Sequence, residues 1–207
     1  AYSQSGPHHI QPSVRITVED GVLSLAHLEE ERMTFNLDET LLKKLEQLKA
    51  EDSDEAKLLQ AQLNEAKVWM EHVKKRQNLI KLCAEYLMQK QRLFFLEGEQ
   101  YVVPSLQRDM AQALGVSQST ISRVVRSKYI ECSHGMVLMQ SLCQRNIYGK
   151  TPRQVKALVT YYCERYPQLS DIKVSELLRS IGLPIARRTV AKYRSESHIN
   201  SSYNRKK

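Results

Sequence analysis

The sequence predicts a mainly all-α protein with one small β-hairpin near its front. Three observations lead there. Gly and Pro are scarce, 7 and 6 in 207 residues, which favours long helices over a turn-rich β architecture. Residues 54–97 hold neither Gly nor Pro, while apolar residues recur there at helical spacing. Further on, two segments each combine short helical stripes with a turn and a polar or basic last helix, the layout of a helix-turn-helix.

Hydrophobic residues make up 42% of the chain, ordinary for a globular protein. The net charge of +8 is unevenly spread. Residues 1–71 carry 7 Lys/Arg against 14 Asp/Glu, and residues 72–207 carry 24 against 9. An acidic front and a basic remainder suggest a protein partner for the first and nucleic acid for the second. Cys83, Cys132, Cys143 and Cys163 form no CxxC pair and read as reduced cytosolic thiols. Cys132-x-His134 lacks two further ligands at zinc spacing, so no metal or cofactor is predicted. Paired carboxylates in a pocket-like context, a Gly-rich phosphate loop and a nucleophile–base pattern are all missing, which argues against an enzyme. No apolar run approaches the ~20 residues of a membrane span. The chain opens on Ala1, as a fragment of something longer would.

In order, residues 1–13 read as a leading loop. Residues 14–18 alternate apolar and polar, Glu19-Asp20-Gly21 is a turn, and residues 22–25 return as a second strand. Asp38 caps a helix striped by Leu41, Leu42, Leu45 and Leu48. An acidic break at 50–54 precedes one extra-long helix over 54–98, with a kink allowed at Arg76-Gln77-Asn78, where the apolar face weakens. Ser105 is placed to cap residues 106–114, Gly115 to turn and Ser117 to cap residues 118–126. Leu106, Met110, Ala111, Leu114, Val116, Ile121 and Val124 sit where a helix-turn-helix core needs them. The second helix then offers Gln118, Ser119, Ser122 and Arg123 outward; Gln and Arg read bases, and Ser more often binds phosphate. A small hairpin or wing turns at Ser133-His134-Gly135, and 144–150 form a linker. Thr151-Pro152 opens a last three-helix unit, with Ser170 capping its second helix and Gly182 closing it.

The third helix of that unit begins at Ala186-Arg187-Arg188-Thr189-Val190-Ala191-Lys192-Tyr193-Arg194. At about 100° per residue, Arg187, Arg188, Lys192 and the edge of Thr189 share one side, and Val190 and Ala191 face the other. Tyr193 and Arg194 are expected to extend the polar side. Arg at the N-terminal end of an exposed helix can offer bidentate donors to guanine in a major groove.

These nine residues match, at every position, the RpoN box of sigma-54-type RNA polymerase sigma factors. The resemblance extends to Leu169-Ser170-Asp171 and Gly182 before the box. It also covers residues 119–124 followed by Lys128-Tyr129, the group Gln91, Phe94-Phe95, Gly98 and Pro104, and Ala66-Lys67 with Arg76. Three places depart from the family: Ser195 follows the box where Glu is usual, Val68 stands where Trp is usual with Trp69 beside it, and the wing lacks a Pro. The resemblance implies a promoter-specificity subunit organised as the end of a core-polymerase-binding domain (1–65), the long helix (54–98), a helix-turn-helix domain with its wing (99–143; motif 106–125), the linker, and an RpoN domain (151–207). Box residues Ala186, Arg187, Arg188, Thr189, Lys192, Tyr193 and Arg194 would meet the −24 (GG) element, Arg187 and Arg188 reading guanine. Gln118, Ser119, Thr120, Ser122, Arg123, Arg126 and Lys128 would meet the −12 (GC) element, and Arg76 would regulate DNA opening. Partners implied are core RNA polymerase, promoter duplex DNA and an ATP-hydrolysing AAA+ activator that docks on a region outside this sequence. The setting implied is the bacterial cytoplasm, without a membrane and with a monomer in the absence of core. The competing reading is a free-standing dimeric repressor with tandem helix-turn-helix units.

Overall fold

β1 (Val14–Glu19) and β2 (Val22–Ala26) form the expected hairpin around Asp20 and Gly21, both at positive φ as a tight two-residue turn requires. The sequence gives no sign of what this hairpin pairs with next. β1 lies parallel to β3 (Tyr129–Cys132), Val14 opposite Ile130, and β3 returns antiparallel as β4 (Gly135–Leu138). Front hairpin and wing are thus one four-stranded sheet, in the order β2-β1-β3-β4. The computed structural model describes residues 10–50 and 54–200. Most of the leading loop, residues 51–53 of the acidic break and residues 201–207 lie outside those segments.

The described chain is mainly helical, as predicted. After α1 (Leu28–Arg32), Asp38 starts α2 (Glu39–Ala50), accepting the Thr40 amide at 2.8 Å. Leu41, Leu42 and Leu45 of α2 line an apolar crevice with Leu59 and Leu63 of α3 (Asp54–Lys90). The 37 residues of α3 span about 55 Å at 1.5 Å each.

α3 runs unbroken through Arg76-Gln77-Asn78, against the expectation of a kink there. Gln77 weakens the apolar stripe because it is a buried donor, its Nε2 lying 3.2 Å from the Met33 carbonyl beyond α1. The break comes instead at Gln91, before α4 (Arg92–Glu97). Gln91 is 1% exposed and fully bonded: Nε2 donates to the carbonyls of Val103 (2.8 Å) and Leu142 (2.9 Å), and Oε1 accepts the Val103 amide (2.9 Å). A buried amide left unpaired would cost about 1–3 kcal/mol. Here it ties α3 to the chain on both sides of the helix-turn-helix.

α5 (Gln107–Ala113), Gly115 at φ +65° and α6 (Gln118–Ser127) form the helix-turn-helix. Ser117 caps α6, accepting the Thr120 amide at 3.1 Å. Ser105 does not cap α5, which starts at Gln107 behind Leu106 without a side-chain cap. Ser105 is buried, and its amide instead donates to the Gln144 carbonyl (2.9 Å) where the linker begins. Met110, Ala111 and Ile121 are buried as expected; Val125, absent from the expected set, is buried more deeply than Val124. With Val14, Ile16, Ile80, Leu87, Phe94, Phe95, Ile130 and Met139 they form one core shared by sheet, long helix and helix-turn-helix. Each such side chain contributes about 1.5–3 kcal/mol by burial.

A second, separate core holds α7 (Pro152–Arg165), α8 (Asp171–Ser180) and α9 (Arg187–Glu196) together. Thr151 caps α7 in a full capping box with Gln154, and Ser170 caps α8. Val155, Val159, Cys163, Val174, Leu178, Val190 and Tyr193 fill the interior. Between the cores, Ile147 and Lys150 bridge a turn at Tyr148-Gly149, and Ile147 packs on the second core. Among the described residues no helix is long and apolar enough to cross a membrane.

Candidate nucleic-acid interface

α9 is positioned by its buried stripe. Val190 (0% exposed) and Tyr193 (6%), three apart, face α7 and α8, which turns Arg187, Arg188 and Lys192 outward. Arg187 and Arg188 are exposed, and neither makes a hydrogen bond or ion pair with another described residue. They flank a helix start whose Ncap, Ala186, has no side-chain oxygen to bond the free amides. The helix dipole adds to the same positive end. Two like charges there are locally unfavourable to the helix, and an anion or a guanine edge relieves them. Lys192 is exposed and 3.8 Å from Glu196, a weak surface pair. Thr189 is half-buried.

Tyr193 and Arg194 do not extend the polar side, contrary to the helical-wheel reading. Tyr193 belongs to the core. Arg194 turns back on its own unit: Nε and Nη2 donate to the two Asp171 carboxylate oxygens at 2.9 and 3.3 Å, and Nη1 to the Ile199 carbonyl at 2.8 Å. The wheel angle of Arg194 is intermediate, and a bidentate carboxylate at the start of α8 decides its direction.

α6 presents a second face. Ile121 and Val125 are buried, Gln118, Ser119, Arg123 and Arg126 are exposed, and Thr120 and Ser122 are half-buried. The Ser117 hydroxyl lies 2.8 Å from those of both Ser119 and Thr120. Arg126 reaches Ser122 Oγ at 3.4 Å. Arg123 joins Lys75, Arg76, Leu79, Thr120, Val124 and Ser127 around an open groove of about 400 Å³ between α3 and α6. Arg76 therefore stands on the long helix beside the outward face of α6.

Lys128 is the exception. Its ammonium is paired with Glu29 of α1, both side chains mostly buried at 13% and 16% exposed. Glu29 also accepts the Ser13 hydroxyl at 2.6 Å. Burial pushes the Glu29 carboxyl up, but hydrogen bonds from Lys128 and Ser13 and the charges of Lys128 and Arg76 outweigh it. Its pKa lies below the ordinary 4.5. Sequence reasoning did not find Glu29, and it picked out Gln91 only by resemblance, not by its bonds, since the partners of both are remote in the chain. Gln154 carried a readable signal, Thr three residues before Gln at a helix start.

Two helix-turn-helix units, each ending in a helix with exposed Arg or Gln at its start, define a DNA-binding protein of the tandem helix-turn-helix class. A family model described as "Sigma-54, DNA binding domain" matches residues 56–207. The RNA polymerase sigma-54 factor of Acinetobacter guillouiae is 33% identical over 168 residues, covering 76% of this chain and 34% of the relative. That of Escherichia coli K12 is 30% identical over 166 residues, 76% and 35% respectively. The crystal structure of Aquifex aeolicus sigmaN bound to promoter DNA superposes with a TM-score of 0.70 at 26% identity, covering 94% of this chain and 59% of that one. The chain belongs to the sigma-54 family and carries its DNA-binding domain. It spans about a third of the length of the curated relatives it matches.

Proposed function

We propose that this chain is the promoter-reading part of a sigma-54 factor, which joins core RNA polymerase in the bacterial cytoplasm and directs it to −24/−12 promoters. α9 enters the major groove at the −24 element, where Arg187 and Arg188 each meet a guanine O6 and N7. The observation that carries this reading is that these two guanidiniums stand free at an uncapped helix start, while Tyr193 and Arg194 hold the helix from behind. Thr189 and Lys192 flank the groove and meet phosphate. α6 lies at the −12 element through Gln118, Ser119, Ser122, Arg123 and Arg126, with Thr120 at its edge. Lys128, paired with Glu29 and lining the groove beside Arg76 and Arg123, would act chiefly as a support for the end of α6. Two tethered readers gain avidity on a bipartite site.

Arg76, beside Arg123 on the groove, fits a role in controlling DNA opening, the step that an ATP-hydrolysing AAA+ activator drives in this family. The acidic front, with α2 packed on the start of α3, suits docking on core polymerase. Binding and footprinting on a duplex with GG and GC elements test the reading, with and without core. Protection of both elements and one-to-one association with core are expected. Self-association together with preference for an inverted repeat would sink it and favour a repressor.

A further inference from the structure

We infer that Gln154 fixes the separation of the two DNA-reading helices, and with it the element spacing that the chain prefers; the DNA half of this inference rests on the function proposed above. The two units have separate cores and are joined by residues 144–150, so core packing alone would leave them free to swing. Gln154 removes that freedom. Its Oε1 accepts the Thr151 amide at 2.9 Å, completing the capping box, so the side chain cannot leave without exposing the start of α7. Both hydrogens of its Nε2 are then aimed across the seam, at the Gln100 carbonyl (2.9 Å) and the Val102 carbonyl (3.1 Å). The next residue, Val103, is held on both backbone groups by the buried Gln91 that ends α3. A continuous run of amide hydrogen bonds therefore links the long helix to α7. Thr151 and Val102, 1% and 7% exposed, bury the inner side of the seam, and the bond to Gln100 lies at its exposed edge. Arg153 pairs with Glu99 along its exposed rim.

Rigidity matters because DNA is helical. One base pair of extra spacing moves an element by about 3.4 Å and rotates it by about 35° round the duplex axis. A latched pair of readers cannot follow that rotation, whereas a jointed pair can. Gln154 is in this sense a positioning residue, remote from any base.

Gln154→Glu isolates the latch. A carboxylate still accepts from the Thr151 amide, Glu being a common residue at that place in a capping box. It has no hydrogen to donate and faces two carbonyl oxygens. Two readouts use the full chain. Residual dipolar couplings from residues 107–142 and 152–196 should fit a single alignment tensor in the wild type and two in the variant. Affinity for duplexes with both elements should fall roughly five- to tenfold at the preferred spacing, as for two lost neutral hydrogen bonds. It should hold or rise on duplexes one base pair longer or shorter, which a jointed pair can follow, and change less than about twofold with a single element. Two tensors in the wild type, or a spacing profile unchanged by Gln154→Glu, would overturn the latch. If the wild type does not prefer the two-element duplex to scrambled DNA, the proposed function fails and the dipolar couplings alone decide the latch.

Discussion

Arg188 and Arg194 stand six residues apart on α9 and meet opposite surroundings. Arg188 is exposed and unpaired among the described residues; Arg194, 14% exposed at its side chain, grips Asp171 with two nitrogens. Substitution should separate the two roles. Arg188→Ala should cost about 1–3 kcal/mol of binding on a GG duplex and relax the preference there. Competition binding checks it, and equal loss on scrambled DNA would make Arg188 a phosphate contact only. Arg194→Ala should instead remove about 1.5–3 kcal/mol of stability from the C-terminal unit, because a mostly buried carboxylate loses its partner. Asp171→Asn should do much the same, and the double exchange Arg194→Asp with Asp171→Arg should recover part of the loss. Thermal unfolding reads all three. Unchanged unfolding with a shallower salt dependence of binding would return Arg194 to the DNA surface.

Between elements, the tie with most at stake is Glu29 of α1 against Lys128 at the end of α6. Burial works to raise the Glu29 carboxyl, but Lys128, Ser13 and Arg76 together hold it below 4.5. A depressed carboxylate stabilises the folded state above its unfolded pKa, and the contribution fades as pH falls through the folded value. Glu29→Gln should therefore lower stability most above about pH 4.5, the gap to wild type narrowing in more acid solution. Urea midpoints from roughly pH 6 down to pH 3 measure this, and a pH-independent gap would refute it. This tie also marks the limit of what elements reveal from sequence. The Ser117, Thr151 and Ser170 caps were legible because their chemistry closes within three residues. The Ser105 cap failed because a buried position was claimed by Gln144, 39 residues on. Gln91 stands out by resemblance alone; its helical spacing gives no sign of burial, and only its remote carbonyls make it the hinge between α3 and α4.

At the scale of the molecule, the two helix-turn-helix units and the long helix could be read from spacing, since each is local. The joining of Val14 to Ile130 could not, because alternation predicts a strand but not its partner. The same limit applies to the candidate DNA surface. Charge counting supplies all of the basic residues, and only the fold says which are already engaged. Lys128 and Arg194 are held inside, leaving Arg123, Arg126, Arg187, Arg188 and Lys192 exposed on the two reading helices. This sorting fixes a number that bulk charge would not. Each phosphate neutralised on duplex DNA contributes about −0.9 to the slope of log K against log salt. If Arg187 and Arg188 read guanine while the other three meet phosphate, the two helices should give a slope of about −2.7. If all five meet phosphate, the slope should be about −4.5 and the preference for GG should vanish with it. The difference in slope between the full chain and its variant with all five replaced by Ala, titrated on the two-element duplex across a range of salt, distinguishes these values. Arg126→Ala should then lower the slope by about 0.9 with selectivity intact, and Arg188→Ala should lose selectivity with the slope nearly unchanged.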